Sequence, residues 1–233
     1  MSIHGILGEQ TTDYPTEYSP ETLYPIARSI GRDAIGWQDD KLKVGVDWWQ
    51  AFEMSWLNSQ GISQVAIARF GIPASSPFIV ESKSLKLYLN SINFTEFSGW
   101  DDVQALIAKD LSACVQAEVT VELFDLNDDL NDKATGLLIA KPEGVCIDAA
   151  LANSSEKVAL TEHPDASLLV SDSVGSEKEA GKIFSFYSNL LRSNCPVTNQ
   201  PDWGTLAVSI TTEQPIHTAN MLRYILSFRQ HNG

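Results

Sequence analysis

Long apolar runs are missing from this 233-residue sequence. No stretch approaches the roughly eighteen uninterrupted apolar residues that a membrane-spanning helix needs, so no such helix is expected. The opening, MSIHGILGEQTTDYP, lacks the basic start and apolar core of a secretory signal. Cysteine is scarce: Cys114, Cys146 and Cys195 are odd in number, and no two have CxxC spacing. A disulfide framework or a zinc ribbon is therefore not expected, and a reducing cytoplasm is. Positive charge is also short, with 16 Lys and Arg against 30 Asp and Glu and a net charge of −14. A field of that sign repels phosphate backbones, which argues against nucleic acid as a direct partner. His4, His163, His217 and His231 are scattered without metal-ligand spacing, and no GxGxxG, GxSxG, HExxH or Walker loop appears. An anionic ligand would have to rely on a small local supply of cations such as Arg69, Lys83 and Lys86.

What is present is enough chain for a sizeable core. Residues 1–45 are rich in Tyr, Pro, Gly and Asp and read as an extended arm over the surface. In 47–60 (DWWQAFEMSWLNSQ) Trp48, Phe52 and Trp56 recur at every fourth residue between a capping Asp47 and a terminating Gly61, which predicts an amphipathic helix. In QVAIARFGI, Val65, Ile67 and Arg69 alternate with Ala66, Ala68 and Phe70, as in a strand covered on both faces. The turn Pro73–Pro77 and the short strand FIVE that follows suggest a hairpin with it. Leu85, Leu87, Leu89 and Ile92 leave 83–93 ambiguous. Asp101 caps a helix over 101–113 with Val103, Leu106, Ile107 and Leu111 on one face, and AEVTVELFDL alternates as a strand. The acidic run 125–135 lacks the glycine and closing glutamate of a calcium loop and reads as a solvated loop. Residues 177–191 (EKEAGKIFSFYSNLL) predict a second amphipathic helix with Ile183, Phe184, Tyr187, Leu190 and Leu191 inward. A turn-rich SNCPVTNQPDWG and a strand TLAVSIT follow.

An internal repeat emerges when VESKSLKLYLNSIN from Val80 is set against IHTANMLRYILSFR from Ile216. Tyr88 meets Tyr224, Ser91 meets Ser227, Glu81 meets His217, and the apolar rhythm agrees. The strand before each segment also corresponds.

Two segments carry possible chemistry. In SNCPVTNQPDWGTL, Cys195 is followed by Asp202, and Pro196, Pro201 and Gly204 stiffen the loop between and around them. A thiolate is a strong nucleophile, and a protonated carboxyl beside it can donate a proton. Spacing alone favours the plainer reading, a buried thiol and a turn-capping Asp. In the second segment, Glu81, Ser82 and Lys83 stand at the end of a strand. Glu81 can accept from the N–H edge of a guanine-like ring, while Ser82 and Lys83 can meet a phosphate. On pattern alone the same residues better suit a helix start capped by Glu81 or Ser82, with solvated lysines.

Together FIVESKSLKLYLNSINFTEF and SNCPVTNQPDWGTL resemble the signature and nucleophile segments of the NADPH-dependent 7-cyano-7-deazaguanine reductases, in the longer, two-module bacterial order. The resemblance runs over most of residues 10–232. It implies an α+β protein of the tunnelling fold, with tandem β-β-α-α-β-β modules, antiparallel sheets and helices on one face. The implied organisation is an arm and helix over 1–60, a first module over 61–150 and a second over 151–233. It implies Cys195 as the thioimide-forming nucleophile and Asp202 as proton donor, with Val80, Glu81 and Ser82 binding substrate and Ser82 and Lys83 binding NADPH. No metal is implied. It further implies tRNA queuosine biosynthesis, a small-molecule nitrile substrate and a homo-oligomer, a dimer. Such proteins continue past the match to RQHN with a substrate-clamping His-Glu pair and a cofactor-binding Arg-Gly pair. This sequence stops at Gly233, which raises the expectation of a shortened second module. Two other readings remain: a pterin-ring hydrolase or cyclohydrolase of the same fold, for which no Cys/His cluster speaks, and an acidic binding module that uses Glu81 but neither Cys195 nor NADPH.

Overall fold

The computed structural model describes residues 15–34, 40–128, 137, 140–155, 157–159, 161–169, 182–195, 199–212 and 217–232. In chain order the strands are β1 (Pro25–Ala27), β2 (Val46–Asn58), β3 (Ser63–Pro73), β4 (Phe78–Val80), β5 (Glu96–Phe97), β6 (Thr120–Phe124), β7 (Val145–Cys146), β8 (Lys182–Asn194) and β9 (Pro201–Thr212). The helices are α1 (Arg28–Ala34), α2 (Ser82–Ile92), α3 (Trp100–Val115) and α4 (Thr218–Leu226). The chain is α+β, and it divides into two units, Met1–Leu138 and Ile139–Gly233.

In the first unit β2 and β3 form a long antiparallel hairpin, flanked by β5 on one side and β6 on the other. Alternation sends Ala66, Ala68, Phe70 and Ile72 to one face, where they meet Leu85, Tyr88 and Ile92 of α2 and Val103, Ile107, Leu111 and Val115 of α3. Helices thus cover one face of this sheet. Met54 and Trp56 complete the layer, and Trp56 lies edge-on to Trp100 at 5.0 Å. Full burial of such side chains contributes about 1.5–3 kcal/mol each. On the other face Arg69 pairs with Glu122 at 2.8 Å and stacks over Trp48 and Phe124. Arg69 is therefore engaged within the sheet rather than held for an anionic ligand.

Three expectations are corrected here. Residues 47–60 are not a helix, because Val46–Asn58 is a strand. A fourth-residue spacing is even, so it also matches a strand, and pairing with β3 decides the outcome. FIV does not pair with β3, whose two edges are taken by β2 and β6; as β4 it pairs with β1 instead. The arm carries structure of its own: β1 and α1, preceded by a chain laced onto α2. Ser19 N donates to Ser91 Oγ (3.2 Å), Tyr24 N to Ser84 Oγ (3.0 Å) and Asn90 Nδ2 to Pro15 O (3.0 Å). The helix expected over 101–113 is α3, but Gly99 rather than Asp101 stands at its N-cap, and Asp101 lies in the first turn; the strand expected within AEVTVELFDL is β6, and 83–93 resolves as α2. Of the acidic run, Asp125 to Asp128 form a turn in which Asn127 N donates to Asp125 Oδ1; residues 129–135 lie outside the described residues.

In the second unit β8 and β9 form an equally long hairpin, with β7 parallel to β8. Ile147, Phe186, Leu222 and Ile225 form its buried centre. This is the fourth correction: the helix expected over 177–191 is a strand from Lys182 onward, and residues 177–181 lie outside the described residues. The run Ile-Phe-Ser-Phe-Tyr is rich in strand-favouring side chains, and Ile183 is 69% exposed rather than inward.

The hairpin-and-helix pattern recurs. β2 and β8 are each 13 residues long. In each hairpin two residues oppose one at a register shift, Phe52 and Glu53 against Ile67 and then Asn189 and Leu190 against Thr205. Ser91 Oγ donates to Tyr88 O at 2.6 Å, and Ser227 Oγ donates to Tyr224 O at 2.6 Å. Each serine also accepts from a preceding chain segment, from Ser19 N and from Asp165 N respectively.

Candidate active site

Cys195 is the first residue beyond β8. Its N–H donates to Gln200 O at 2.9 Å, and its carbonyl accepts from Asn199 N at 2.8 Å, so the connection closes on itself. Asn199 has a φ of +54°, a left-handed conformation that asparagine tolerates better than most residues. Residues 196–198 lie outside the described residues. The register places Ser193 opposite Asp202 and Asn194 opposite Pro201. Cys195 and Asp202 therefore sit on facing arms at the same end of one hairpin, Cys195 half-buried and Asp202 exposed. The residue before the thiol is tied from outside the hairpin: Asn194 N donates to His231 O at 2.7 Å, and Asn194 bridges Asn232.

All three cysteines are free thiols. Burial pushes the Cys114 thiol up, away from the reactive thiolate form. Cys146 lies exposed on β7.

Val80 to Lys83 belong to the other unit. Val80 is buried at the end of β4, opposite Pro25. Glu81 is the N-cap of α2, its carboxylate accepting from Lys83 N at 2.9 Å and Ser84 N at 2.7 Å. Its own N–H donates to Tyr24 O. Two first-turn amides of α2 are thereby satisfied by the protein itself. Ser82 is exposed on the first helical turn and Lys83 is half-buried beside it. One turn on, the exposed Lys86 lines a cavity of about 620 Å³ whose floor includes Trp49, Phe70, Leu85 and Leu89.

Hydroxyl and ammonium donors at Ser82, Lys83 and Lys86 fit the phosphates of a nicotinamide cofactor. Contact would fall on these side chains rather than on the amides that Glu81 occupies. Among the described residues no group of three or more His, Cys, Asp or Glu could hold a metal ion, and no helix is long and apolar enough to cross a membrane. Sequence reasoning passed over Arg192, opposite Trp203 in the register and three residues before the thiol. Its proximity to Cys195 in sequence was the available signal.

A thiol beside the end of a hairpin, with a carboxyl on the facing arm, is an arrangement in which a cysteine can serve as nucleophile. Comparison with known proteins gives the class as the nitrile reductases: residues 14–123 match the family described as nitrile reductase, 7-cyano-7-deazaguanine-reductase N-terminal. The chain is 79% identical over 233 residues to the NADPH-dependent 7-cyano-7-deazaguanine reductase of Psychrobacter cryohalolentis, covering all of this chain and 80% of that protein. It is 78% identical to the same enzyme of Psychrobacter arcticus, again over 80% of its length. Identity is 46% to that of Acinetobacter baumannii, strain ACICU, over 79% of its length. This chain belongs to the NADPH-dependent 7-cyano-7-deazaguanine reductase family.

Proposed function

We propose that this chain reduces the nitrile of 7-cyano-7-deazaguanine to the aminomethyl group with NADPH, in the cytoplasm, as a step of tRNA queuosine biosynthesis. The carrying observation is the closed hairpin end that sets the thiol of Cys195 across from Asp202 in a chain matching these reductases over all 233 residues.

The Cys195 sulfur attacks the nitrile carbon. A C–S bond forms, one C–N π bond breaks, and the nitrogen takes a proton from Asp202 as the acid, leaving a thioimide on the cysteine. When bound, NADPH supplies the hydride for each of the two reductions. After the first, the C–S bond breaks, Cys195 leaves as a thiolate and an imine remains; the second hydride goes to the imine carbon, and the nitrogen takes its second proton from Asp202, which has regained one from solvent. The backbone bonds from Cys195 N–H to Gln200 O and from Asn199 N–H to Cys195 O hold the Cys195 backbone in one place, which supports a proximity gain. Glu81 accepts from the N–H edge of the deazaguanine ring, with Val80 and Ser82 beside it, and Ser82 and Lys83 hold the cofactor phosphates. No metal takes part.

The recurring hairpin and helix support a reading of each unit as a module of the tunnelling fold, in tandem along the chain, with β2 placed in the first module. Among the described residues β6 and β9 are outer strands of their sheets, which supports closure against a second copy in a homodimer. Neither nucleic acid nor membrane is a direct partner in this reading.

The test is intact-mass spectrometry after mixing the protein with 7-cyano-7-deazaguanine without NADPH, beside Cys195→Ala. The expected result is a mass gain equal to the nitrile, absent from the variant. A wild-type chain that gains no mass, together with a longer form of the protein that gains none either, would refute the reading and favour a non-catalytic binding protein.

A further inference from the structure

Arg192 stands at the base of the hairpin end that carries Cys195. It is placed opposite Trp203 by the register, next to the Ser193–Asp202 pair, and its guanidinium lies over the Trp203 ring at 5.9 Å. One of its terminal nitrogens, Nη2, donates to Asn194 Oδ1 at 3.1 Å. Its Nε–H is buried and makes no hydrogen bond, and among the described residues no other buried side-chain nitrogen or oxygen is left in that state. Burying a cationic N–H without an acceptor opposes folding, and native structures keep such groups rarely and for a reason. Here the group is spent on a neutral amide, Asn194, whose position decides where the next residue goes.

Asn194 is held on three sides. Its backbone N–H goes to His231 O, its chain bridges Asn232, and its side chain meets Arg192. The first two contacts fix the strand, and the third fixes its last side chain against the hairpin's own face. Cys195 follows directly, with both of its backbone groups bonded across the turn. The charged and titratable groups around this end are Arg192 on β8, Asp202 on β9 and His231 on the C-terminal turn.

We propose that Arg192 is a positioning residue for the reaction: through Asn194 it fixes the direction in which the Cys195 sulfur leaves the hairpin. The proposal rests on Cys195 being the nucleophile, as argued above. A misdirected sulfur slows bond formation while leaving the hold on the ring unchanged, because a small displacement from the attack geometry is costly in rate.

The experiment follows adduct formation with 7-cyano-7-deazaguanine by mass spectrometry over time and over nitrile concentration, in wild type, Arg192→Gln and Arg192→Lys. Thermal midpoints are measured alongside. Arg192→Gln is expected to lower the maximal rate about tenfold while its half-saturating nitrile concentration stays within about twofold and its midpoint within a few degrees. Arg192→Lys, which keeps a donor for Asn194, is expected to restore part of the rate. An unchanged maximal rate in Arg192→Gln overturns the proposal. So does a loss of rate matched by a large fall in the thermal midpoint, and so does a raised half-saturation at full rate. Absence of any adduct in wild type refutes the cysteine mechanism itself and is read separately.

Discussion

Removing the carboxylate of Asp110 on α3 tests how the first unit is tied together. Asp110 Oδ2 accepts from the Tyr88 hydroxyl at 2.7 Å and from the Tyr18 hydroxyl at 2.6 Å, and the two rings meet edge-on at 6.4 Å. Burial, then the hydrogen bond to Asp110 and its charge, push both phenols well above the ordinary tyrosine range, so both stay neutral donors. Tyr88 is fully buried, whereas Tyr18 is exposed. In Asp110→Ala the Tyr88 hydroxyl loses its charged acceptor inside the core, at about 2–3 kcal/mol; the wet Tyr18 bond adds about 0.5 kcal/mol. The total is about 3 kcal/mol. Tyr88→Phe removes the donor together with its need for a partner and should cost about 1 kcal/mol. If the hydroxyl accounts for most of the Asp110 loss, the double variant should be about 1–2 kcal/mol less unstable than the sum of the singles. Urea unfolding followed by far-ultraviolet circular dichroism gives all four values. A cost below about 0.5 kcal/mol for Asp110→Ala, or strict additivity, would refute the argument that this carboxylate anchors the buried tyrosine.

Further outcomes follow from the second unit. Gly144 has a φ of +102°, and a Cβ there would fall 2.4 Å from the carbonyl oxygen of Ser185. Gly144→Ala should therefore release β7 from β8, seen as faster amide exchange at residues 145–147 with exchange in β9 unchanged. Asp148 accepts from Ser188 Oγ, Asn189 N and Asn189 Nδ2. Desolvation alone would raise its pKa, but these hydrogen bonds outweigh it and hold the carboxyl below the usual aspartate value. A depressed folded-state pKa adds stability that is fully present above the ordinary aspartate pKa and disappears as pH falls through the lowered one. The urea midpoint of wild type should then drop more steeply below about pH 4 than that of Asp148→Asn; parallel curves would contradict the assignment.

Much of the first unit was legible in the sequence because its signals are local. The Val103–Leu111 stripe defines α3, and the Val65–Phe70 alternation defines β3, without reference to anything distant. Strand β8 was misread because a helix-compatible spacing hid its run of strand-favouring side chains, and β2 was misread for a different reason. Trp48, Phe52 and Trp56 satisfy both the helical and the extended period, and the deciding information, pairing with β3, lies elsewhere in the chain. The extra residue at Phe52–Glu53 then divides the trio between faces: Trp56 is in the core, whereas Trp48 and Phe52 are 57% and 64% exposed. The β4 pairing was likewise invisible, since it depends on which sheet edges are already occupied. At the candidate site the helix-capping role of Glu81 could be read from its place before Ser82–Lys83. The facing of Cys195 and Asp202 could not be read from spacing, because the register of β8 on β9 creates it.

The extra residue in each hairpin has a consequence for how the chain tolerates change in length. Side chains of a strand alternate, so each two-against-one step exchanges inside for outside from that point to the strand's end. Deleting one residue at the Asn189–Leu190 step would preserve the composition of the segment and most of its backbone pairing. Arg192, Asn194 and Cys195 would keep their sides, because residues paired across the hairpin share a face; a deletion after the step, between Leu191 and Asn194, would instead turn the residues that follow it to the opposite side. A frame of orientation, as much as a set of residues, is what this hairpin transmits to its tip.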